Sequence, residues 1–473
     1  MSKLNNKIKE IFKNNKYNAH GISLSKKIKN GKQTEELSIT FDVLKKKDIN
    51  SLTEEEKIPS HININGQAYE TDVVESAPFK AMTCYDPGAT PISQEILKTR
   101  TVQATNSSVS SPIRGGQQIL MYPDLYTASY VADNNFNNQG YASGDPTGSV
   151  GTLGFLAIDN EDDKVVGITN AHVACGVLSQ NDDRDMTVER TDPYNLVDSR
   201  SYTYNSNTFN GIPQCLLWLR ETTTDSYFIQ TLHHASNTQQ IKRASFFDLD
   251  NDNTVDVAVL AIDDVLFNNT SYRFYQPTGT TDITSHFTFA TTTELDNLLT
   301  SPPSRVYSVG RTTGPKGWGS TSACQLEVSA IDVSLSVEFT ERGSAISAPF
   351  DDLIRYKYVD NSNFPVAGGD SGSALFADMD GNGTYKIIGL VFAGNGGDID
   401  DPNPGTHTGL ACRIDNVASI MNIRAWSSTE TPDFSQSTIT EETVDFDTDS
   451  SPEDLSRTIN SATYWNAGLR ITP

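Results

Sequence analysis

Short apolar runs rich in β-branched and aromatic residues, cut at intervals by Gly, Asn and Asp clusters, dominate the chain from about residue 119 to 425. They run from Gly154 to Ile158, Val165 to Thr169, Val255 to Ile262, Val306 to Val309, Leu326 to Val337 and Ile387 to Ala393. Runs this short, punctuated by turns, form strands that must close on one another, so the region reads as a barrel or sandwich. Long helical periodicities are scarce in it. With 473 residues, 36% of them hydrophobic and 42 aromatic, the chain has material for a sizeable core, and its surplus of Ser, Thr, Asn and Gly favours strands and turns.

Ahead of this region, residues 1–82 read as a small α+β unit. Leu4, Ile8, Ile11 and Phe12 fall on one helical face among lysines; residues 1–32 carry nine Lys and one acid. The helix is expected to dock on its own domain, with membrane or partner attachment as the weaker alternative. Leu37, Ile39, Phe41 and Val43 alternate with polar residues as a half-buried strand, and Asn30-Gly31 before it marks a hairpin turn. Thr53-Glu54-Glu55-Glu56 reads as a capping box opening a short helix that Pro59 ends. Residues 83–118 read as a linker, 119–426 as the β domain with a long insertion at about 176–250, and 427–473 as a tail. Nine acids and no base lie between Arg424 and Arg457, a composition that solvates rather than packs.

Charge bounds the partners. Against 60 Asp+Glu stand 36 Lys+Arg, a net charge of −24, which argues against nucleic-acid binding because a phosphate backbone is gripped by clustered cations. No run approaches about 18 apolar residues, so no spanning helix is expected. The N-terminal Met1 to Lys9 lacks the apolar run of a secretory signal, and the expectation is a cytoplasmic protein. Five cysteines without a Cys-x-x-Cys pair read as mostly reduced core residues.

Three segments in the β region carry chemistry: Gly167-Ile168-Thr169-Asn170-Ala171-His172-Val173, Thr254-Val255-Asp256-Val257-Ala258, and Gly368-Gly369-Asp370-Ser371-Gly372-Ser373. Each sets one reactive side chain at a strand end. Singly, each has a plain structural reading, since a lone His or Asp at a strand end is usually a cap or turn residue. Together they supply a base, an orienter and a nucleophile for acyl transfer. An α/β-hydrolase is excluded by the order His172, Asp256, Ser371, because that fold runs Ser, Asp, His.

On these motifs the chain resembles the chymotrypsin-like, or trypsin-fold, serine peptidases. The hairpin with Asn30-Gly31-Lys32, Ile58-Pro59, Thr71 to Glu75, Arg114-Gly115-Gly116 and Gly151 to Gly154 looks like bacterial and plant trypsin-like peptidases with a small α+β domain before the protease. The resemblance implies a mainly β, double β-barrel fold over roughly residues 20 to 425. It implies that His172, Asp256 and Ser371 are catalytic and that the N–H groups of Gly369 and Ser371 form an oxyanion hole. The doubled glycine at 368 and 369 raises the expectation that this hole stays unformed until substrate or an activator arrives.

The substrate site implied is Pro365, Val366, Ala367 and Gly368, with Phe392, Ala393 and Gly394 as the substrate-pairing edge and Gly409 nearby. Pro365 stands where trypsin-type members place an Asp, which favours small or medium uncharged side chains in the pocket. Asp370 in secreted members pairs with an N-terminus freed by cleavage, and this chain is expected to give it another partner.

Calcium and zinc have weak signals. Asp378 to Gly383 matches the start of an EF-hand loop, but Gly389 stands at the twelfth position and a hairpin turn is the better reading. Asp248, Asp250 and Asp252 read as a solvated turn, and His233-His234 lacks a spaced third ligand. No metal and no cofactor are expected. The reading is a serine endopeptidase with a restricted set of intracellular protein substrates. A regulatory partner acting through the N-terminal domain or the tail, and homo-oligomerisation, are left open. The alternative is a catalytically silent binding protein of the same fold.

Overall fold

The computed structural model describes residues 3–81 and 286–427 with short gaps, the segments 113–122, 149–174, 253–261 and 270–274, strands between 201 and 245, and Tyr464–Trp465. The chain is mainly β, as expected from its punctuated apolar runs. At the N-terminus a helix, Lys3–Lys13, lays Ile8 fully into the core with Ile11 and Phe12 packed beside it, and Lys9 reaches Asp351 at 2.6 Å. The amphipathic face is therefore spent on docking to the chain itself.

Five strands follow: β1 (Gly21–Lys29), β2 (Lys32–Val43), β3 (His61–Ile64), β4 (Gln67–Glu75) and β5 (Phe79–Ala81). Strands β1 and β2 pair antiparallel up to Lys29 and Lys32; Asn30-Gly31, read as a hairpin turn, lies outside the described residues. The expected helix after Thr53 is absent. Glu56 does accept from the Thr53 N–H and hydroxyl, but only the turn bonds Glu56 N–H and Lys57 N–H to Thr53 O follow. Nucleating a helix fixes several residues for one hydrogen bond, and Pro59 leaves no room to propagate it.

The next strands are β6 (Ile113–Gly115), β7 (Gln118–Tyr122), β8 (Ser149–Thr152), β9 (Phe155–Asp159) and β10 (Val165–Thr169). Within the stretch read as an insertion lie two hairpins, β11 (Ser201–Tyr204) with β12 (Asn207–Asn210) and β13 (Gln214–Arg220) with β14 (Tyr227–Thr231). Strand β13 also pairs with β7. Then come β15 (Ile241–Ser245), β16 (Ala258–Ala261) and β17 (Thr270–Phe274). One sheet runs β9-β10-β16-β15. Its β9 and β10 are buried at every position, which is why they read as continuous apolar runs rather than alternating ones.

The second large sheet takes most of the rest: β18 (Thr288–Phe289), β19 (Arg305–Gly310), β20 (Gly314–Lys316), β21 (Leu326–Glu341), β22 (Ser344–Tyr358), β23 (Ala374–Asp378), β24 (Tyr385–Gly394) and β25 (Gly409–Arg413). Two short strands, β26 (Ile423–Ala425) and β27 (Tyr464–Trp465), join the first sheet beside β9 and β15. Strands β1 to β4 continue the second sheet through the pairing of β1 with β21. A buried bidentate bond from Arg355 to Asp42 crosses the same seam, with Arg355 Nη1 to Asp42 Oδ1 at 3.0 Å. The loop between β23 and β24 is a hairpin turn whose N–H groups at Gly381 and Gly383 are bonded to the two carboxylate oxygens of Asp378. Asp248 to Asp252 and His233-His234 lie outside the described residues.

On the second sheet Asp332 is buried at a positive φ of 50°. Burial, then the neighbouring Asp352 carboxylate, push its carboxyl up to about 7, against the pull of Arg413. The folded chain keeps this proton to about pH 7, whereas the unfolded chain releases it near the ordinary value of 3.8. The unfolded state therefore binds fewer protons in that window, and stability falls as pH rises from about 4 to 7, then levels. Asp332→Asn, which tolerates the positive φ, is expected to flatten that slope. Urea midpoints at pH 5 and 7 check it; an equal loss in both chains would refute the assignment.

Candidate active site

The pairing of β10 with β16 sets Thr169 opposite Ala258. The residues just past one strand and just before the other therefore meet at one end of the sheet. There the short helix Ala171–Ala174 carries His172, and the lead-in to β16 carries Asp256. Asp256 grips the histidine twice: Oδ1 accepts the His172 main-chain N–H at 3.1 Å, and Oδ2 is bonded to Nδ1. Asn170 fixes the same segment by donating to the Asp256 carbonyl at 2.6 Å. The Asp256 N–H donates to Cys412 Sγ at 3.3 Å, and burial, then Asp256, push the Cys412 thiol up, so it stays a neutral thiol. The imidazole is thus held with Nδ1 facing a carboxylate, and among the described residues Nε2 has no hydrogen-bond partner.

Strand β8 joins the Ser371 segment to the helix that carries His172. Thr152 N–H donates to the Ser371 carbonyl at 2.7 Å. A Cβ at Gly151 would lie 2.4 Å from Val173, the residue after His172, and 2.9 Å from the Ser371 carbonyl, so a bare glycine is what lets the His172 and Ser371 segments approach. Gly372 has φ of +92° and its missing Cβ would strike Thr152 O at 2.1 Å. The Ser371 hydroxyl donates to the Phe392 carbonyl at 3.1 Å.

The backbone around Ser371 is anchored by its carbonyls. Gly368 O accepts from the Thr312 hydroxyl at 2.6 Å and Gly369 O from the Thr152 hydroxyl at 2.9 Å. A trans peptide points its N–H opposite its C=O, so anchoring Gly368 O turns the Gly369 N–H away from Thr312. Among the described residues neither Gly369 N–H nor Ser371 N–H has a protein acceptor.

Asp370 is fully buried beneath this loop. Its Oδ1 accepts the N–H groups of Thr312 at 2.9 Å and Thr313 at 3.0 Å. Its Oδ2 accepts the Thr313 hydroxyl at 2.6 Å, the Ala367 N–H at 3.1 Å and Lys316 Nζ at 3.2 Å. Lys316 is the partner the sequence left unnamed. No local motif marks it, because it stands 54 residues from Asp370. Gly310 makes room, since a Cβ there would meet Asp370 at 2.2 Å.

The residues assigned to substrate binding also cluster. Pro365, Val366, Ala367, Phe392, Ala393, Gly394 and Gly409 are buried and Gly368 is half-buried. Tyr356 stands between them: its hydroxyl donates to the Pro365 carbonyl at 3.4 Å, and its ring lies where a Gly409 side chain would be. A further element was not legible in the sequence. The β21–β22 hairpin brings Phe339 edge-on to the His172 ring at 5.7 Å, and Phe350 joins it to Phe392 at 6.0 and 4.9 Å. Among the described residues no group of three His, Cys, Asp or Glu side chains could hold a metal ion.

No family model matches the chain, and no curated protein does. Solved structures with some likeness to it include protease A of Thermobifida fusca, at 13% identity over 66% of this chain and 97% of that one, with a TM-score of 0.30. A glutamic acid specific serine protease is 12% identical over 66% of this chain and 100% of that one, at 0.29. A Cellulomonas bogoriensis chymotrypsin is 14% identical over 59% and 91%, at 0.27. These are distant likenesses.

Proposed function

We propose that the protein is a serine endopeptidase of chymotrypsin-like fold, in which Ser371 attacks a peptide carbonyl, His172 is the general base and then acid, and Asp256 orients the imidazole. The observation that carries this reading is the double grip of Asp256 on His172. Among the described residues it leaves Nε2 without a hydrogen-bond partner, and neither Gly369 N–H nor Ser371 N–H has an acceptor. Attack needs the Ser371 hydroxyl to rotate from the Phe392 carbonyl to Nε2, an adjustment ordinary for a site without substrate. As the tetrahedral intermediate forms, the N–H groups of Gly369 and Ser371 receive its oxyanion, each donor worth about 2.7 to 4 kcal/mol. The anchored carbonyls of Gly368 and Gly369 support a hole formed in advance rather than on activation.

Tyr356 against Gly409 supports a shallow primary pocket, and so a preference for small or medium uncharged side chains. For a regulatory partner, the N-terminal unit offers a cavity of about 950 Å³ lined by Phe12, Tyr17, Leu52 and Lys45 to Lys47. Fluorophosphonate labelling tests the enzyme reading. The adduct is expected on Ser371, located by mass spectrometry, and lost in Ser371→Ala and His172→Ala. A chain that never acquires it is the silent binding protein instead.

A further inference from the structure

The edge assigned to substrate is already paired. In the short strand β5, Ala81 and Lys80 pair antiparallel with Ala393 and Gly394 of β24. On its other side Phe79 and Lys80 pair in parallel with Val337 and Glu338 of β21. A sheet edge captures an extended peptide through its main-chain groups, and here Ala393 and Gly394 are engaged by the chain itself. In this arrangement Ser371 is 0% and His172 1% exposed, so a peptide reaches them only after the structure opens.

The N-terminal unit seats this strand. Just before it, the Ser76 main-chain N–H donates to the Val43 carbonyl at 3.0 Å, and the Ser76 hydroxyl is bonded to His20 Nε2 at 3.0 Å. Phe79 is fully buried, with the Arg355 guanidinium 5.0 Å from its ring centre and the His20 ring at 6.3 Å, while Arg355 is itself bonded to Asp42 of β2. Lys80 adds an ion pair to Glu338 at 3.0 Å. One aromatic side chain is thus the main anchor, and the ladder it holds against β24 is two residue pairs long. A longer peptide strand can compete with so short a ladder.

Resting on the peptidase reading, we propose that β5 is an internal competitive inhibitor: a strand held by the N-terminal unit on the edge at Ala393 and Gly394, which an extended peptide substrate must displace. Only chains with β5 released can bind the peptide. The apparent KM is then the intrinsic one divided by the released fraction, while kcat is untouched. Phe79 in its seat between Arg355 and His20 sets that fraction.

The test is a switchable tether. Lys80 and Glu338 are Cα partners with their side chains on one face, and neighbouring strands lie about 4.8 Å apart, within the reach of a disulfide. The full-length double variant Lys80→Cys, Glu338→Cys is oxidised with glutathione disulfide, the cross-link confirmed by mass spectrometry, and then reduced with dithiothreitol, beside wild type treated alike. Hydrolysis of a fluorogenic peptide library and the fluorophosphonate adduct on Ser371 are measured in each state. Expected is a loss of hydrolysis of about tenfold or more on oxidation, regained on reduction, with wild type unchanged. Phe79→Ala is expected to lower the KM of the fastest-cut library peptide about tenfold, with kcat within about twofold. If that variant does not fold, Lys80→Glu, which faces Glu338 with a like charge, is expected to lower KM about twofold. Equal hydrolysis, nil included, by the oxidised and reduced forms of a chain that carries the adduct overturns the proposal and leaves the peptidase reading standing, as does an unchanged KM. No adduct and no hydrolysis in either form overturns the peptidase reading and the proposal with it.

Discussion

Asp256→Asn is expected to lower kcat by about 10⁴-fold while KM stays within about threefold, the pattern of a wrong tautomer in an otherwise intact triad. The geometry says why. Asp256 Oδ1 accepts the His172 main-chain N–H and Oδ2 faces Nδ1. An asparagine keeps one oxygen for the main-chain donor and turns its NH₂ to Nδ1, which must then accept. The ring proton moves to Nε2, and the nitrogen that should take the Ser371 proton already carries one. Steady-state kinetics on a peptide substrate, with circular dichroism to show an intact fold, measures the effect. A loss below about tenfold would mean that Asp256 does not set the tautomer of His172.

What the sequence could show follows from which interactions are local. His172, Asp256 and Ser371 were legible because each stands at the end of an apolar run, and the meeting of the first two follows from the Thr169–Ala258 pairing of β10 and β16. The hairpin turn after Asp378 was legible for the same reason: Asp and Gly at fixed spacing bond to one another. The Thr53 to Glu56 signal misled because its capping bonds form equally well in a lone turn. Lys316 under Asp370, Phe339 on His172 and β5 against β24 were beyond reach, since each depends on how distant strands align rather than on neighbours in sequence. Nothing in Phe79-Lys80-Ala81 distinguishes it from a linker until β21 and β24 are set on either side of it.

Lys316→Met is expected to destabilise the fold by about 3 to 5 kcal/mol, because it leaves the Asp370 carboxylate buried without its cation. Lys316 is 3% and Asp370 0% exposed, so water cannot take the lysine's place. Three main-chain N–H groups and the Thr313 hydroxyl remain on the carboxylate, but they do not neutralise it. At roughly 2 to 4 °C per kcal/mol for a domain of about 150 to 250 residues, the melting temperature should fall by roughly 6 to 20 °C. Asp370 spans from the Thr312–Thr313 turn to Ala367, so loosening it also frees the loop that aims Gly369 and Ser371. The kcat should then fall more than KM rises. The double variant Lys316→Met, Asp370→Asn separates charge from shape: an asparagine oxygen still accepts from Thr312 and Thr313, and removing both charges should restore more than half of the lost stability. A single variant that costs less than about 1 kcal/mol would place this pair with surface ion pairs, and the loop would owe its order to the main-chain donors alone.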